Sequence, residues 1–117
     1  MKLFNKQTEH DIILIAEIGI NHEGNFSVAK EMIYNLSKCN IDAIKLQSYT
    51  PEKYASSINK ERLDRVGQFS LTKQEHISLS EYTKSLGIGF FSTPLSEDWV
   101  SIISEIGDAI KIASGDI

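Results

Sequence analysis

Residues 12–24 read IILIAEIGINHEG, in which five apolar residues are followed by Glu17 and then by a largely polar loop. A continuous apolar run of this length is typical of a parallel β-strand that is buried on both faces. The run therefore predicts a strand at Ile12–Ala16. Carboxylate, amide and imidazole groups of the following residues would then lie beyond its carboxyl end.

Three further apolar runs repeat this unit along the chain and predict strands at Ala43–Gln47, Ile88–Ser92 and Ala109–Ala113. Between the strands, apolar residues recur at helical spacing, and residues with cap preferences bound the predicted helices. The predicted starts are Asn25, Thr72 with Glu75, and Ser96, and the predicted ends are Asn40, Gly87 and Gly107. Strands that alternate with helices predict an α/β fold with a parallel sheet.

Two architectures suit this order of elements. An open doubly wound sheet would be complete with four strands, whereas a (β/α)₈ barrel needs roughly 250 residues. The chain has 117 residues, so on the second interpretation it would supply about half of a barrel. The long polar stretch 48–71 contains a predicted turn or helix start at Thr50–Glu52 and a predicted short helix at Asn59–Val66. Periodicity alone does not decide between the two architectures.

The composition narrows the class of partner. The net charge is −4 and the isoelectric point is about 5.3. The composition therefore gives no sign of the basic surface that binding to a nucleic acid or to an acidic membrane would need. No apolar stretch reaches the ~20 residues that would span a bilayer, and residues 1–11 lack the apolar core of a signal peptide. Cys39 is the single cysteine, which excludes an internal disulfide. These features predict a cytoplasmic protein.

Polar residues follow each predicted strand at its carboxyl end. They are Glu17 after the first strand, Gln47 in the second, Thr93 after the third, and Ser114 with Asp116 after the fourth. That edge of a parallel sheet is where α/β folds build ligand sites. One polar strand end has little meaning, because every strand must end somewhere, but four together predict a site.

Two lysines lie inside predicted strands. Because side chains alternate along a strand, Lys45 shares a face with Ala43 and Gln47, and Lys111 shares one with small neighbours. A lysine in a medium of low dielectric is costly without a partner, although its head can also reach solvent along a buried stem. Two such lysines on separate strands predict a convergent site for an anion such as phosphate or carboxylate.

The three histidines give weaker signals. His22 could be a ligand or could form an acid–base pair with Glu23, but a histidine in a polar loop is more often solvated. His10 and His76 have the pattern of surface residues. Trp99 and the pair Phe90–Phe91 are predicted to be core.

Four segments, taken in order, resemble one known family. IAEIGINHEG at residues 15–24 resembles the opening signature of the N-acetylneuraminate (sialic acid) synthase family, and IKLQ at 44–47, FSTP at 91–94 and KIASGD at 111–116 match it in sequence order. The resemblance implies the N-terminal half of a (β/α)₈ TIM barrel, with residues 1–117 as a single partial domain. The C-terminal half of the barrel and an antifreeze-like domain would be absent from this chain.

The resemblance also implies an activity, the condensation of phosphoenolpyruvate with an open-chain N-acylated amino sugar to give a sialic-acid-type nonulosonic acid and phosphate. Glu17 and Asp116 match positions that face the reaction centre. Lys45, Lys111, Thr93 and Ser114 match positions that bind phosphoenolpyruvate, and Gln47 would orient the substrates. Asp116 replaces the glutamate of many members, and the stretch 48–71 is shorter than in some. The sugar could therefore be N-acetylmannosamine or a diacetylated 6-deoxy sugar.

The family uses a divalent metal, manganese or magnesium, to polarise the sugar aldehyde. Its two metal-binding histidines lie in the second half of the barrel, and none of His10, His22 or His76 matches them. The resemblance thus implies a metal site outside this chain, a homodimer at full length, and no activity for these 117 residues alone.

Two other functions fit the residues. A Schiff-base aldolase would use Lys45 or Lys111 as its nucleophile. A small α/β module that binds an anionic metabolite, complete at 117 residues, would need no catalysis at all.

Overall fold

A four-stranded parallel sheet forms the centre of the protein, whose computed structural model describes residues 1–117. The strands lie in the order β3-β4-β5-β6, and a two-stranded antiparallel hairpin, β1-β2, precedes them. The strands are β1 Lys2–Leu3, β2 Lys6–Gln7, β3 Ile15–Gly19, β4 Ala43–Ser48, β5 Gly89–Pro94 and β6 Ala109–Ile110. The helices are α1 Phe26–Leu36, α2 Pro51–Tyr54, α3 Lys60–Gln68, α4 Lys73–Ser85 and α5 Asp98–Ile106, followed by a 3₁₀ turn at Ser114–Asp116. The predicted α/β fold with four parallel strands is confirmed.

The apolar core lies between the sheet and the helices on one of its faces. On β4, Ile44 and Leu46 are fully buried, and Phe90 on β5 is buried beside them. Ile33 of α1 and Leu79 of α4 complete this layer from the helix side. Each such side chain stabilises the fold by about 1.5–3 kcal/mol through removal from water. Because residues alternate along each strand, the opposite face is free to carry polar groups.

The helix boundaries follow the caps that the sequence contains. The Asn25 side chain accepts a hydrogen bond from Val28 N–H and begins α1, and Asn59 does the same for α3. Thr72 and Glu75 form the predicted capping box at the start of α4, with Thr72 N–H to Glu75 Oε2 at 2.7 Å. Gly87, with φ of 76°, follows the end of α4 as predicted. No helix is both long and apolar enough to cross a membrane.

Replacement of Thr72 with alanine is expected to lower the free energy of unfolding by about 1 kcal/mol, because α4 loses the side-chain acceptor for the Glu75 N–H. Urea denaturation measures this change. Thr72→Ser is the matched control, since it keeps the hydroxyl and should keep most of the stability. Equal losses in the two variants would show that the methyl group, rather than the cap, stabilises the helix.

The two edge strands differ from their predicted bounds. β3 covers Ile15–Gly19 rather than Ile12–Ala16, because its partner β4 begins only at Ala43. As an edge strand it is not buried on both faces, and Ile15 is 44% exposed. The prediction of a strand buried on both sides is therefore wrong for this segment.

The fourth strand ends at Ile110 rather than Ala113 for a local reason. Lys111 N–H donates to the Ser92 carbonyl at 3.1 Å, so the ladder continues to this residue. The next bond of a parallel ladder would be donated by residue 94 to the Lys111 carbonyl. Residue 94 is proline, which has no N–H, so the pairing stops there.

The start of α5 also differs from the prediction. Glu97, rather than Ser96, is the residue that precedes the helix, and no side chain caps it. Ser96 is buried, and its Oγ accepts a hydrogen bond from Thr50 N–H at 2.9 Å instead. Gly107 ends the helix as predicted.

The N-terminal hairpin was not predicted from the sequence. Its two turn residues, Phe4 and Asn5, both have positive φ, as the tightest hairpin turns require. Asp42 fastens the hairpin to the sheet, since its Oδ2 accepts from Lys6 Nζ at 2.9 Å and from Leu14 N–H at 2.7 Å. These two donors, the Leu14 N–H first, lower the pKa of the Asp42 carboxyl.

Substitution Asp42→Asn is expected to lower the urea midpoint at pH 7. A carboxyl whose pKa is lowered by folding stabilises the protein above its unfolded pKa, near 3.8, and this contribution is lost as the pH falls through the lower folded pKa. The difference between the unaltered protein and the variant should therefore shrink below that pH. Asp64→Asn, which removes the same charge from an exposed position on α3, is the control. A difference that is independent of pH would contradict the expected role.

Candidate active site

The candidate site lies on the face of the sheet that the helices leave open. The register of β3, β4 and β5 places Glu17 beside Lys45, and Lys45 beside Phe91. Two residues further along, Gln47 lies beside Thr93. Four of the predicted site residues therefore share one face of three adjacent strands, near their carboxyl ends.

Lys45 joins these residues into one polar group. Its Nζ forms an ion pair with Glu17 Oε2 and donates a hydrogen bond to Thr93 Oγ1 at 3.3 Å. The Lys45 side chain is only 16% exposed, whereas that of Glu17 is 47% exposed. A cation with so little access to water needs polar partners. The group thus holds a positive charge at the edge of the sheet, with a half-exposed carboxylate beside it.

A left-handed glycine allows Glu17 and Gln47 to approach. Gly19 has φ of 58° and lies at an irregularity in the β3 register. A β-carbon at Gly19 would lie 3.1 Å from Glu17 Oε1 and 4.0 Å from the Gln47 amide. The space beside Gly19 is therefore where the carboxylate and the amide come together.

The N-terminal hairpin covers the other end of the same face. The Phe4 ring packs against that of Phe91, with centroids 5.5 Å apart. A β-carbon at Gly89 would lie 2.2 Å from the Phe4 ring, so Gly89 leaves the room that this packing needs. The amino end of the face is closed by aromatic side chains, and the polar residues lie toward the carboxyl end.

The remaining predicted site residues do not join this group in the structure. Lys111, Ser114 and Asp116 are exposed, and the Lys111 amine donates to the carbonyl of its neighbour Ile112. They follow the short strand β6, whose pairing with β5 is stopped by Pro94 of β5. The structure therefore does not bring Lys45 and Lys111 together, whereas Glu17, Lys45 and Thr93 are in contact.

Two histidines that the sequence reading placed in solvent are buried. His22 and His76 are each 1% exposed, and the His76 ring packs 4.5 Å from the Trp99 ring. Burial lowers the pKa of both imidazoles. The prediction that they are solvated is wrong. Helical spacing could have found His76, because it shares a buried face of α4 with Leu79 and Thr83.

A second polar group, also missed, ties the loop after β4 to α5. Thr50 Oγ1 donates to Asp98 Oδ2 at 2.6 Å and accepts from Trp99 Nε1 at 3.2 Å. The Thr50 hydroxyl lowers the pKa of the Asp98 carboxyl, with smaller contributions from Ser96 and Lys53. These bonds fix the loops that leave the site edge of β4 and β5.

The chain does not form a metal site by itself. It contains no group of three or more histidine, cysteine, aspartate or glutamate side chains placed to hold a metal ion. Glu17 is the one carboxylate among the converging residues, and it is paired with Lys45. These residues therefore do not fit a divalent cation without further ligands.

Comparison with known proteins gives concordant results. The profile of the NeuB family matches residues 32–117. The chain is 32% identical over 118 residues to an N,N'-diacetyllegionaminic acid synthase of Legionella pneumophila, covering 89% of this chain and 33% of that protein. It is 30% identical over 128 residues to a pseudaminic acid synthase of Campylobacter jejuni, covering 97% of this chain and 37% of that protein. The chain thus spans about a third of the length of these relatives.

A solved structure shares the fold. The N-acetylneuraminic acid (sialic acid) synthetase of Leptospira borgpetersenii, in complex with citrate, superposes with a TM-score of 0.84 at 34% identity, over 92% of this chain and 38% of that one. This agreement supports the strand arrangement predicted for the N-terminal half of a (β/α)₈ barrel. Since the family profile covers most of the chain and the relatives align over nearly all of it, this chain belongs to the NeuB family, the sialic acid synthases and their relatives.

Proposed function

We propose that this chain supplies the phosphoenolpyruvate-binding part of a nonulosonic acid synthase. The observation that carries the proposal is the cation of Lys45, which is held between Glu17 and Thr93 at the carboxyl edge of the sheet in a chain of the NeuB family. The Leptospira relative was solved with citrate, a small polycarboxylate, which supports an anion as ligand.

The proposed reaction joins three molecules. The enol carbon of phosphoenolpyruvate forms a bond to the aldehyde carbon of the open-chain amino sugar, and the aldehyde oxygen gains a proton. Water adds to the resulting cationic carbon and loses a proton. The bond from that carbon to the phosphate oxygen then breaks, which releases inorganic phosphate and leaves the keto group of the product.

Lys45 suits the role of anion ligand in this reaction. Phosphoenolpyruvate carries a carboxylate and a phosphate, and a cation already fixed by Glu17 and Thr93 needs little reorganisation to receive one of them. Thr93 Oγ1 accepts from Lys45 and keeps its own proton to donate to the same substrate. Binding of the anion would also weaken the hold of Lys45 on Glu17, because the cation would then be shared.

Glu17 is placed to act on water or on the sugar. Its carboxylate is half-exposed beside Lys45, and the Gln47 amide lies 4.0 Å from the same β-carbon position at Gly19. A carboxylate so placed can accept the proton of the attacking water while the amide orients the substrate. Lys111, Ser114 and Asp116 remain predicted site residues on the strength of the KIASGD match.

The proposed acceptor is an N-acylated amino sugar. The relatives named above make legionaminic, pseudaminic and N-acetylneuraminic acids, so the acceptor is an N-acetylmannosamine-type or diacetylated sugar. Asp116, shorter by one methylene than glutamate, is the residue of this chain that we expect to influence that choice.

Phosphate release tests the proposal. Phosphoenolpyruvate, manganese and a panel of N-acyl amino sugars are incubated with this chain and, separately, with the product of its full reading frame. Sugar-dependent release from the longer product alone would support both the proposed reaction and the predicted inactivity of the 117 residues. Absence of release from both with every sugar would favour the anion-binding module, and release from the short chain would overturn the inactivity.

The Schiff-base aldolase makes a different prediction for Lys45. The Lys45 amine is engaged by the Glu17 carboxylate and by the Thr93 hydroxyl, so it is not free to attack a carbonyl carbon. We therefore expect borohydride to trap no substrate on Lys45. A lysine adduct located there by mass spectrometry would favour the aldolase.

We also predict that the product of the full reading frame depends on a metal ion and forms a dimer. Activity should be lost to a chelator and restored by manganese or magnesium, whose ligands we place outside this chain. Sedimentation should give twice the mass of one polypeptide.

A further inference from the structure

The sheet leaves a space that the ring of Phe4 fills. Phe4 lies in the turn of the β1-β2 hairpin, and its ring centroid lies 5.5 Å from that of Phe91 on β5. A β-carbon at Gly89 would lie 2.2 Å from the Phe4 ring, so the ring occupies the place that a larger residue on β5 would take. The register partner of Gly89 on β4 is Ala43, which is also small.

The backbone of Phe4 is strained in this position. Its φ is 49°, in the left-handed region, which residues with a β-carbon seldom adopt. Strain of this kind persists only where the surrounding contacts outweigh it. The contacts of the Phe4 ring are with Phe91 and with the open space at Gly89, so packing against the sheet holds the turn in this conformation.

Phe91 connects the Phe4 ring to the candidate site. It is the register partner of Lys45, and register partners on neighbouring parallel strands project to the same face about 4.8 Å apart. Two residues further along β5, Thr93 accepts the hydrogen bond from Lys45 Nζ, which places these side chains on one face. Phe91 is only 6% exposed, although no helix covers that face. The Phe4 ring therefore helps to exclude water from the amino end of the site.

The hairpin is attached to the sheet by few contacts. Its strands pair only with each other, and none of residues 1–10 is buried. Apart from the Phe4 ring, the attachment is Lys6, whose Nζ donates to Asp42 Oδ2 at 2.9 Å and to the Ile12 carbonyl at 2.8 Å. A segment with so few buried contacts opens more readily than the core of a protein. Phe4 is the apolar anchor of this segment.

We propose that Phe4 closes the amino end of the candidate site and is thereby a positioning residue for Lys45. With the ring in place, Phe91 is held beside the stem of Lys45, and water reaches the amine only from the carboxyl edge of the sheet. Without the ring, water also enters from the amino end, and the ammonium is less firmly fixed between Glu17 and Thr93. The consequence for anion binding rests on the proposed function, whereas the effect on Lys45 itself does not.

The reactivity of Lys45 tests the proposal without reference to any catalysed reaction. The product of the full reading frame is acetylated with an N-hydroxysuccinimide ester, and mass spectrometry follows each lysine, with exposed Lys73 as the internal reference. In Phe4→Ala we expect Lys45 to react about fivefold faster relative to Lys73, because water and reagent gain a second path to it. Phe4→Leu, which fills most of the same space, should restore most of the slow rate.

Gly89→Ala provides an independent variant that leaves Phe4 unchanged. Its β-carbon would displace the ring, so Lys45 should react faster here as well, and combining it with Phe4→Ala should give no further increase. Thr72→Ala, which weakens α4 instead, is the control for a general loss of stability and should change the relative rate by less than about twofold. A relative rate that is unchanged in both Phe4→Ala and Gly89→Ala, or equally raised in Thr72→Ala, would overturn the proposal.

Steady-state kinetics of Phe4→Ala then separates this proposal from the proposed function. We expect KM for phosphoenolpyruvate to rise about fivefold while kcat stays within about twofold, since a less firmly held cation weakens binding of the anion in the ground state and the transition state alike. Faster acetylation of Lys45 with an unchanged KM would support the closing role of Phe4 and contradict the anion-binding role of Lys45. A raised KM with unchanged acetylation of Lys45 would overturn the role of Phe4.

Discussion

Replacement of Lys45 with alanine in the product of the full reading frame is expected to reduce kcat/KM for phosphoenolpyruvate by about 10²–10³-fold. A fixed donor that stabilises developing charge is typically worth this much in an enzyme site. The loss has two sources. The substrate anion loses its cation, and Glu17 is left without the partner that its carboxylate holds in the structure. Steady-state kinetics of phosphate release measures the change.

Two variants distinguish the specific role of Lys45 in anion binding from the general effect of a positive charge. Lys45→Arg keeps the charge, but its planar fork does not fit a position built for an ammonium between Glu17 and Thr93, so a loss of about tenfold is expected. Lys73→Ala removes the same charge from an exposed position at the start of α4 and should change kcat/KM by less than twofold. A threefold or smaller effect of Lys45→Ala would remove the main support for the proposed function.

The parts of the fold that the sequence predicted well are those set by short-range rules. Strand β4 follows from its apolar run, and the shared face of Lys45 and Gln47 follows from side-chain alternation along that strand. The start of α4 follows from the Thr72–Glu75 capping box, which needs only four residues to be recognised. In each case the residues that determine the structure are neighbours in the chain.

The parts that were wrong or missed depend on partners far away in sequence. The ring of His76 packs against Trp99 of another helix, although the spacing of His76 with Leu79 and Thr83 on α4 is itself a local signal of burial. The fourth strand stops at Ile110 because Pro94, on the neighbouring strand, has no N–H to offer Lys111. The hairpin β1-β2 requires positive φ at Phe4, which a phenylalanine seldom adopts, and packing against Phe91 accompanies it. None of these pairings is visible in a local pattern.

Gly24→Ala is expected to have the largest effect on stability, a loss of about 3 kcal/mol or more in the free energy of unfolding. Gly24 has φ of 74°, and a β-carbon there would lie 2.1 Å from the Gln68 carbonyl oxygen. That oxygen belongs to the backbone at the end of α3, so a flexible side chain cannot move aside to relieve the overlap. Either the loop after β3 or the end of α3 must shift, and the loop carries His22, whose Nδ1 accepts from Gly24 N–H.

Gly87→Ala is the matched control, because it isolates the backbone strain from the overlap. Gly87 has nearly the same φ, 76°, but nothing lies within 4 Å of its β-carbon position. Only the left-handed conformation then opposes the substitution, at about 1 kcal/mol. Urea denaturation of both variants measures the difference, and we assign the excess in Gly24→Ala to the contact with Gln68. Equal losses in the free energy of unfolding would mean that the loop after β3 shifts away from α3 at no further cost. The site edge of β3 would then be held by the strand alone, and not by the packing of its loop against the helix.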